Sequence, residues 1–198
     1  KDGEISCKIV YYGPSLSGKT TNIRFIHENA PQENKSNLQC VDTRGDRTLV
    51  FDHFALDLGK VGNMCTRLQI YGVPGQAQYR LTRKMVLSGV DGIVFVADSG
   101  IDRFDDNIAG LNDMRSLLGE HNYDYETIPL IMQYNKRDLL ETTPIDELED
   151  ALNGRGTASL EAVATEGKGV IESFKAICGE VIAKLNRNFN SRRESRLG

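Results

Sequence analysis

Cysteine is scarce and scattered in this sequence. Four cysteines occur in 198 residues, and no two of them form a CxxC pair or join histidines at metal-ligand spacing. A chain of this length can bury about 70% of its unfolded surface in one core, so it needs no disulfide or metal to fold. We therefore expect the cysteines to be small buried apolar residues in a reducing compartment, which indicates the cytoplasm.

Long apolar runs and an excess of basic charge are also missing. No run approaches the roughly 18 apolar residues of a membrane-spanning helix, so we expect no transmembrane segment. The 28 acidic and 24 basic residues give a net charge of -4, which disfavours nucleic acid as a partner. Any anion site must therefore be local.

The end of the chain is the exception to this acidic balance. It carries four arginines among asparagines and serines, namely Arg187, Arg192, Arg193 and Arg196. We expect one domain over residues 1–186 and a flexible, solvated basic tail over residues 187–198. A membrane or partner contact is the alternative for this tail.

Strand-like and helix-like segments alternate along the chain. The predicted strands cover residues 5–12, 48–58, 66–71, 92–97, 128–134 and 158–163. The predicted helices cover residues 19–29, 80–87 and 104–119, with a short one opened by Pro144 and a final one from Val170. A polar loop is expected at residues 29–45, and an antiparallel edge hairpin at residues 48–71. The pattern predicts an α/β fold: a mostly parallel sheet of six or slightly more strands, with helices on both faces.

Residues 13–20 read GPSLSGKT and match the phosphate-loop pattern GxxxxGK[ST] at every fixed position, between a strand and a helix. Glycines let backbone N–H groups wrap phosphates, Lys19 can reach the β- and γ-phosphates, and the Thr20 hydroxyl can bind Mg²⁺. The alternative, a glycine-containing turn with a surface lysine, accounts for neither the pattern nor its context. The candidate nucleotide-binding residues here are Gly13, Ser15, Leu16, Ser17, Gly18, Lys19, Thr20 and Thr21.

Asn135-Lys136-Arg137-Asp138 directly follows the apolar strand at residues 128–134. The Asp138 carboxylate can accept the ring N–H and the exocyclic amine of guanine, whereas adenine would leave it facing a lone pair. Asn135 can bond the guanine edge and hold the phosphate loop, and the Lys136 stem can lie over the ring. A polar turn after a strand is the alternative, which a preceding phosphate loop disfavours. Together the motifs predict a guanine nucleotide, GTP or GDP.

These two motifs and their spacing resemble the Ras superfamily of small GTPases over nearly the whole chain. Three further features are similar to its bacterial MglA-like branch: Val73-Pro74-Gly75-Gln76, Asp46-Arg47-Thr48 and Tyr134. The resemblance implies a Ras-like P-loop GTPase domain that hydrolyses GTP to GDP and phosphate and acts as a switch in cell polarity or motility. It also implies a Roadblock-fold, MglB-like activating dimer, effectors, and recruitment to a cell pole or membrane through partners.

The same resemblance implies roles for individual residues. Thr48 would coordinate Mg²⁺ and sense the γ-phosphate, the Gly75 N–H would bond that phosphate, and Gln76 would orient the attacking water. Arg47 would be an intrinsic catalytic arginine, with a solvated switch residue as the alternative. The loop that contacts guanine would contain Val163, Ala164 and Thr165, with the Ala164 N–H meeting the base oxygen.

The sequence departs from the superfamily at the magnesium site. Gly72 stands where small GTPases usually have an aspartate that holds Mg²⁺ through water. We expect Asp52 to replace it, because Asp52 shares one face of a strand with Thr48. The alternative is that Asp52 is a charged residue on an exposed edge strand.

Ser15 is a second departure, since both the superfamily and its MglA-like branch usually have glycine there. Its side chain would crowd the space beside the γ-phosphate, so we expect slow hydrolysis without an activating partner. A nearly inactive GTPase that serves as a nucleotide-stabilised scaffold is the alternative function. A P-loop kinase or ATPase would need an acceptor-binding lid and another base site, and neither is evident.

Overall fold

The computed structural model of the chain describes residues 4–42, 50–61 and 64–194. The strands in these ranges are β1 (Glu4–Tyr12), β2 (Gln39–Asp42), β3 (Val50–Val61), β4 (Met64–Gly72), β5 (Gly92–Asp98), β6 (Leu130–Asn135) and β7 (Ser159–Glu161). The α-helices are α1 (Lys19–Asn29), α2 (Arg80–Leu87), α3 (Phe104–Glu120), α4 (Ile145–Leu152) and α5 (Val170–Glu194).

The described strands form one sheet in the order β2-β3-β4-β1-β5-β6-β7. β1 runs parallel to β4 and β5, and β6 runs parallel to β5 and β7. β3 is antiparallel to both of its neighbours, β2 and β4. The predicted α/β fold class is confirmed, including the antiparallel hairpin, which β3 and β4 form.

Helices cover both faces of the sheet, so its central strands are buried on both sides. Val10 and Tyr12 of β1 belong to the core beneath α2, α3 and α4, while Ile9 and Tyr11 belong to the core beneath α1 and α5. This alternation is the two-residue period of a strand. Because β1, β5 and β6 run parallel, their carboxyl ends lie at one edge of the sheet, where ligands of open α/β sheets bind.

Three expectations need correction. β2 lies inside the segment expected to be a polar loop; Gln39 and Cys40 are exposed, so pairing with β3 rather than apolar alternation defines this strand. The final helix continues to Glu194, so the expected tail has helical backbone over residues 187–194, and its flexibility stays a prediction. Cys7 is buried as expected, but Cys40 and Cys65 are exposed.

Candidate functional site

The phosphate loop connects the end of β1 to the start of α1. Gly13 and Gly18 have positive φ angles of 140° and 103°. A Cβ atom would lie 2.2 Å from the Val96 carbonyl oxygen at Gly13, and 2.1 Å from Asn135 Nδ2 at Gly18. Both glycines are therefore required by conformation and by space. The backbone N–H groups of this loop and of the first turn of α1 are those expected to cradle phosphates.

Leu16, within the same loop, also has a left-handed backbone, with φ of 64°. Such a conformation is unfavourable for a leucine, and its side chain is 79% exposed. Leu16 lines both the cavity beside the phosphate loop and the cavity at the base motif. This strain could not be predicted from the sequence, because the phosphate-loop pattern leaves the position unspecified.

Lys19 is the buried cation of the loop. Only 7% of the residue is exposed, and its ammonium donates to the carbonyl oxygens of Gly13 at 3.0 Å and Pro14 at 2.5 Å. Burial lowers the pKa of Lys19 to about 7, and the positive charge of Arg83 acts in the same direction. A phosphate group beside Lys19 would favour its charged form, so this arrangement suits an anionic ligand.

The proposed magnesium ligands meet beside the loop. The Thr20 hydroxyl donates to Asp52 Oδ2 at 2.6 Å. Asp52 is half-buried in β3, where Cys40 of β2 and Gly72 of β4 are its partners on either side. The alternative of an exposed edge strand is therefore wrong for Asp52. The Cys40 thiol donates to the other carboxylate oxygen at 3.1 Å.

Gly72 lies directly opposite Asp52 across the β3–β4 ladder. A Cβ atom at Gly72 would be 3.6 Å from Asp52 Oδ2, and 2.4 Å from Ile23 Cδ1. A carboxylate on either of the two paired residues would thus reach the same space. Asp52 occupies the space that an aspartate at position 72 would enter.

The hard oxygen donors at this position suit Mg²⁺. Across residues 4–42, 50–61 and 64–194, no three His, Cys, Asp or Glu side chains come together as a possible metal cage. Phosphate-bound Mg²⁺ does not need such a cage, since it keeps several waters and is bound through one or two carboxylates and the phosphates of the substrate. Thr20 and Asp52 are therefore a sufficient donor set. Arg47 and Thr48, also expected here, lie outside the described residues.

The base motif lies at the end of β6. Asn135 is buried; its Nδ2 donates to the Ser17 carbonyl at 2.8 Å, and its Oδ1 accepts from the Ala164 N–H at 2.9 Å. This one amide joins the phosphate loop to the loop after β7. The Ala164 N–H, expected to meet the base oxygen, donates to Asn135 in this structure.

The remaining base-site residues line a small cavity between these loops. It is bordered by Leu16, Gly18, Thr21, Asn135, Lys136, Asp138, Leu139, Ala164 and Thr165. Lys136 has a φ of 65° and donates to Asp98 Oδ2 at 2.7 Å. Asp138, which is expected to accept the base edge, is exposed at the rim of this cavity. Asp98, at the carboxyl end of β5, holds the Lys136 ammonium through this bond, and the sequence motifs did not identify it.

The segment after β4 packs on the phosphate loop. A Cβ atom at Gly75 would lie 2.2 Å from the Ser15 nitrogen, so only glycine permits this approach. Gln76 follows with an exposed side chain. Ser15 and Gly75 are thus brought together, with Gln76 beside them, as the predicted γ-phosphate end of the site requires.

A phosphate cradle between strand and helix, with an Asn-Lys-x-Asp base site at a neighbouring strand end, defines a P-loop guanine-nucleotide-binding protein. The chain belongs to the ADP-ribosylation factor family, whose model matches residues 3–181. It is a small GTPase of the Ras superfamily, an enzyme that hydrolyses GTP. Within the described part of the chain, no helix has the length and apolarity needed to cross a membrane.

Individual relatives agree with this assignment. The chain is 46% identical over 184 residues to "Mutual gliding-motility protein MglA" of Myxococcus xanthus (strain DK1622), covering 93% of this chain and 94% of the relative. It is 27% identical over 180 residues to "Ras-related protein RabG2" of Dictyostelium discoideum, covering 88% and 81%. It is 26% identical over 135 residues to "Ras-related protein RABD1" of Arabidopsis thaliana, covering 65% and 62%.

Proposed function

We propose that this GTPase is an MglA-like molecular switch that regulates cell polarity or motility. The 46% identity over nearly the full length of a protein named for gliding motility supports this process. The bound nucleotide would select between conformations of residues 29–48 and 72–87. The proposed location is the cytoplasm, with recruitment to a cell pole or membrane through partners.

The proposed cofactor is Mg²⁺, held by Thr20, Asp52 and Thr48. The single observation that carries this proposal is the 2.6 Å hydrogen bond from the Thr20 hydroxyl to Asp52, opposite a residue with no side chain, Gly72. When bound, Mg²⁺ would neutralise charge on the β- and γ-phosphates. The hydroxyl and the carboxylate would then turn their oxygens toward the ion instead of toward each other.

Binding of GTP or GDP is proposed to use the two loops that Asn135 joins. Lys19 would contact the β- and γ-phosphates and regain its full charge there. Asp138 would accept the two N–H groups of guanine, and the Lys136 stem would cover the ring face. Because Asn135 bonds both Ser17 and Ala164, the phosphate and base sites keep a fixed separation.

For hydrolysis, the Gly75 N–H is proposed to bond the γ-phosphate, while Gln76 orients the attacking water. Arg47 is the proposed catalytic arginine. An arginine that stabilises transition-state charge accelerates GTP hydrolysis by about 10³- to 10⁵-fold in this superfamily. Its approach, like that of Gln76, has to avoid the side chain of Ser15.

The proposed activating partner is a Roadblock-fold, MglB-like dimer. Leu81 and Met85 on α2 support a protein contact near the switch, because they are 66% and 52% exposed. They follow the segment that carries Gln76, so a partner bound to them could reposition that segment.

Slow hydrolysis is the second candidate property, and it would make the chain mainly a nucleotide-stabilised scaffold. The observation that favours it is the close approach of Gly75 to the Ser15 backbone, which brings the serine to the expected γ-phosphate end, where its side chain would crowd the reacting groups. Nucleotide binding is compatible with this crowding, because the cradle is built from backbone groups.

Phosphate release from GTP separates the switch from the scaffold. It is measured for the parent protein alone, with an excess of a Roadblock-fold dimer, and for Gln76→Ala and Arg47→Ala. We expect slow release alone, faster release with the dimer, and a loss of about tenfold or more in both variants. No release under any condition would contradict the switch, and ATP binding as tight as GTP binding would contradict the nucleotide assignment.

A further inference from the structure

Arg83 of α2 holds the backbone on both sides of Gly75. Its Nη1 donates to the carbonyl oxygens of Pro74 at 3.1 Å and Gln76 at 2.6 Å. The Pro74 carbonyl shares its peptide group with the Gly75 N–H that is proposed to bond the γ-phosphate, and the Gln76 carbonyl follows the Gln76 side chain. One guanidinium therefore fixes the direction of that N–H and the start of the Gln76 side chain.

Arg83 is itself held from the other side. It is only 5% exposed, and its Nε donates to Asp113 Oδ2 of α3 at 2.8 Å. The same carboxylate oxygen accepts the Tyr12 hydroxyl at 2.5 Å. Tyr12 is 1% exposed and directly precedes Gly13, the first residue of the phosphate loop. A continuous hydrogen-bonded path thus runs from the phosphate loop through α3 to the Gly75–Gln76 backbone.

Charge and burial make this path rigid. Charge-assisted hydrogen bonds are stronger than neutral ones, and both Arg83 contacts with carbonyls and its contact with Asp113 are of this kind. Burial and the hydrogen bond to Asp113 raise the pKa of Tyr12, so its hydroxyl remains a donor over the physiological range. Removing one partner would leave a buried polar group unpaired.

We propose that Tyr12, Asp113 and Arg83 are positioning residues for GTP hydrolysis, which hold Gly75 and Gln76 in register with the phosphate loop. None of the three touches the expected reacting atoms. A small displacement of a positioned group can lower a rate by about 100-fold, so the effect of losing this network should fall mainly on turnover. The proposal rests on the roles proposed above for Gly75 and Gln76.

Arg80 supplies a matched control on the same helix. Its side chain is 45% exposed, and it donates to Asp113 Oδ1 at 3.1 Å, Ser116 at 3.2 Å and Glu120 at 2.6 Å. All three contacts lie on α3. Both arginines therefore bond Asp113, but of the two only Arg83 also donates to the carbonyls of Pro74 and Gln76.

The test compares Arg83→Gln, Tyr12→Phe and Arg80→Gln with the parent in single-turnover GTP hydrolysis, GDP affinity and amide hydrogen exchange. We expect Arg83→Gln to lower turnover by about 10- to 100-fold, and Tyr12→Phe by about threefold, with GDP affinity within about threefold. Amides of residues 75–77 should exchange faster in both variants. Arg80→Gln should match the parent in all three measurements.

Parental turnover in Arg83→Gln would overturn the proposal, as would an equal loss of GDP affinity and turnover, which indicates general destabilisation. If Arg83→Gln does not fold, Tyr12→Phe decides, because it removes only a hydroxyl. Gln76→Ala, measured in parallel, separates the proposed catalytic role of Gln76 from the proposed positioning network. Unchanged turnover in Gln76→Ala contradicts the proposed catalytic role, whereas hydrogen exchange tests the network whatever the rate of hydrolysis.

Discussion

The two halves of the nucleotide site are built in different ways. In the base-and-phosphate half, residues of two local motifs are joined directly, since Asn135 bonds both Ser17 and Ala164. In the half proposed to hold magnesium and the switch, the carboxylate would come from Asp52 in β3, since Gly72 opposite it has no side chain. Binding of phosphate and base requires residues at fixed spacing along the chain, so these roles remain within their sequence motifs. A role that depends only on position in space can move to a neighbouring strand.

The largest effect is expected in the base half, from Asp138→Ala. GTP affinity should fall by about 100-fold or more, because two hydrogen bonds to a charged group are each worth about 1.5–3 kcal/mol. ATP affinity should not change. Competition against a fluorescent guanine nucleotide measures both, and Glu141→Ala, an exposed acidic residue in the same loop, is the control. Equal losses for GTP and ATP would show that Asp138 does not select the base.

A smaller effect on both ends of the nucleotide is expected from Asn135→Ala. This change leaves the buried Ser17 carbonyl and Ala164 N–H without their Asn135 partner, and each loss should cost about 1–3 kcal/mol of unfolding free energy. GDP and GTP affinities should fall together by about tenfold, since the two loops lose their fixed separation. Urea unfolding and nucleotide titration test this. A loss confined to one nucleotide would argue against the coupling.

Nucleotide binding should depend on pH through Lys19, whose pKa is lowered to about 7 in the ligand-free protein. Phosphates would raise that pKa, so binding at pH 8 should take up about one proton, and affinity should fall as pH rises above 7. Calorimetry in buffers of different ionisation enthalpy measures the uptake. The uptake should vanish near pH 6, where Lys19 is already charged; no uptake at pH 8 would contradict the lowered pKa.

The lowered pKa of Lys19 should also make the stability of the ligand-free protein depend on pH, but stability should rise with pH whereas nucleotide affinity falls. The folded-state pKa of Lys19 lies below its ordinary value of 10.5, so the unfolded state binds more protons between the two values. Stability from this group should therefore rise with pH between about 7 and 10.5 and be constant below 7. Urea midpoints across this range provide the check.

The smallest effect is expected from Leu16→Gly. A left-handed leucine costs about 1–2 kcal/mol, and glycine loses about 0.5–1 kcal/mol more backbone entropy on folding, so the net gain should be about 0.5 kcal/mol. The midpoint of urea unfolding in the absence of nucleotide should rise slightly. Leu16→Ala keeps the strain and should show no such gain, and an equal gain in both variants would indicate another cause.

The sequence predicted the layered fold well because its central strands and helices carry strong apolar periods. β1, α1 and α2 begin or end within one residue of their predicted bounds. β2 could not be predicted, because a short exposed strand such as Gln39–Asp42 forms through pairing with β3 and has no pattern of its own. The helix over residues 187–194 of the expected tail was also missed, because this segment carries no apolar stripe.

In the site, too, local sequence patterns could be identified in advance, whereas contacts between distant residues could not. The phosphate loop and base motif were identifiable, because the chemistry of phosphate and guanine fixes residue types at fixed spacing. Asp52 was inferred from strand period, but its bond to Thr20 depends on the register of three strands. Arg83, Asp113 and Tyr12 are far apart in sequence and follow no motif, so only the fold reveals that they meet.

Magnesium dependence of GTP affinity tests the proposed magnesium role of Asp52 most directly. GTP is titrated into the parent, Asp52→Ala and Asp57→Ala at a series of Mg²⁺ concentrations. Asp57 is the control, because it lies on the same strand as Asp52 and pairs with Arg67. Asp52→Ala should need about tenfold more Mg²⁺ for the same affinity, and adding Gly72→Asp should recover part of the loss. Asp57→Ala should behave as the parent. Unchanged Mg²⁺ dependence in Asp52→Ala would contradict the proposed metal site.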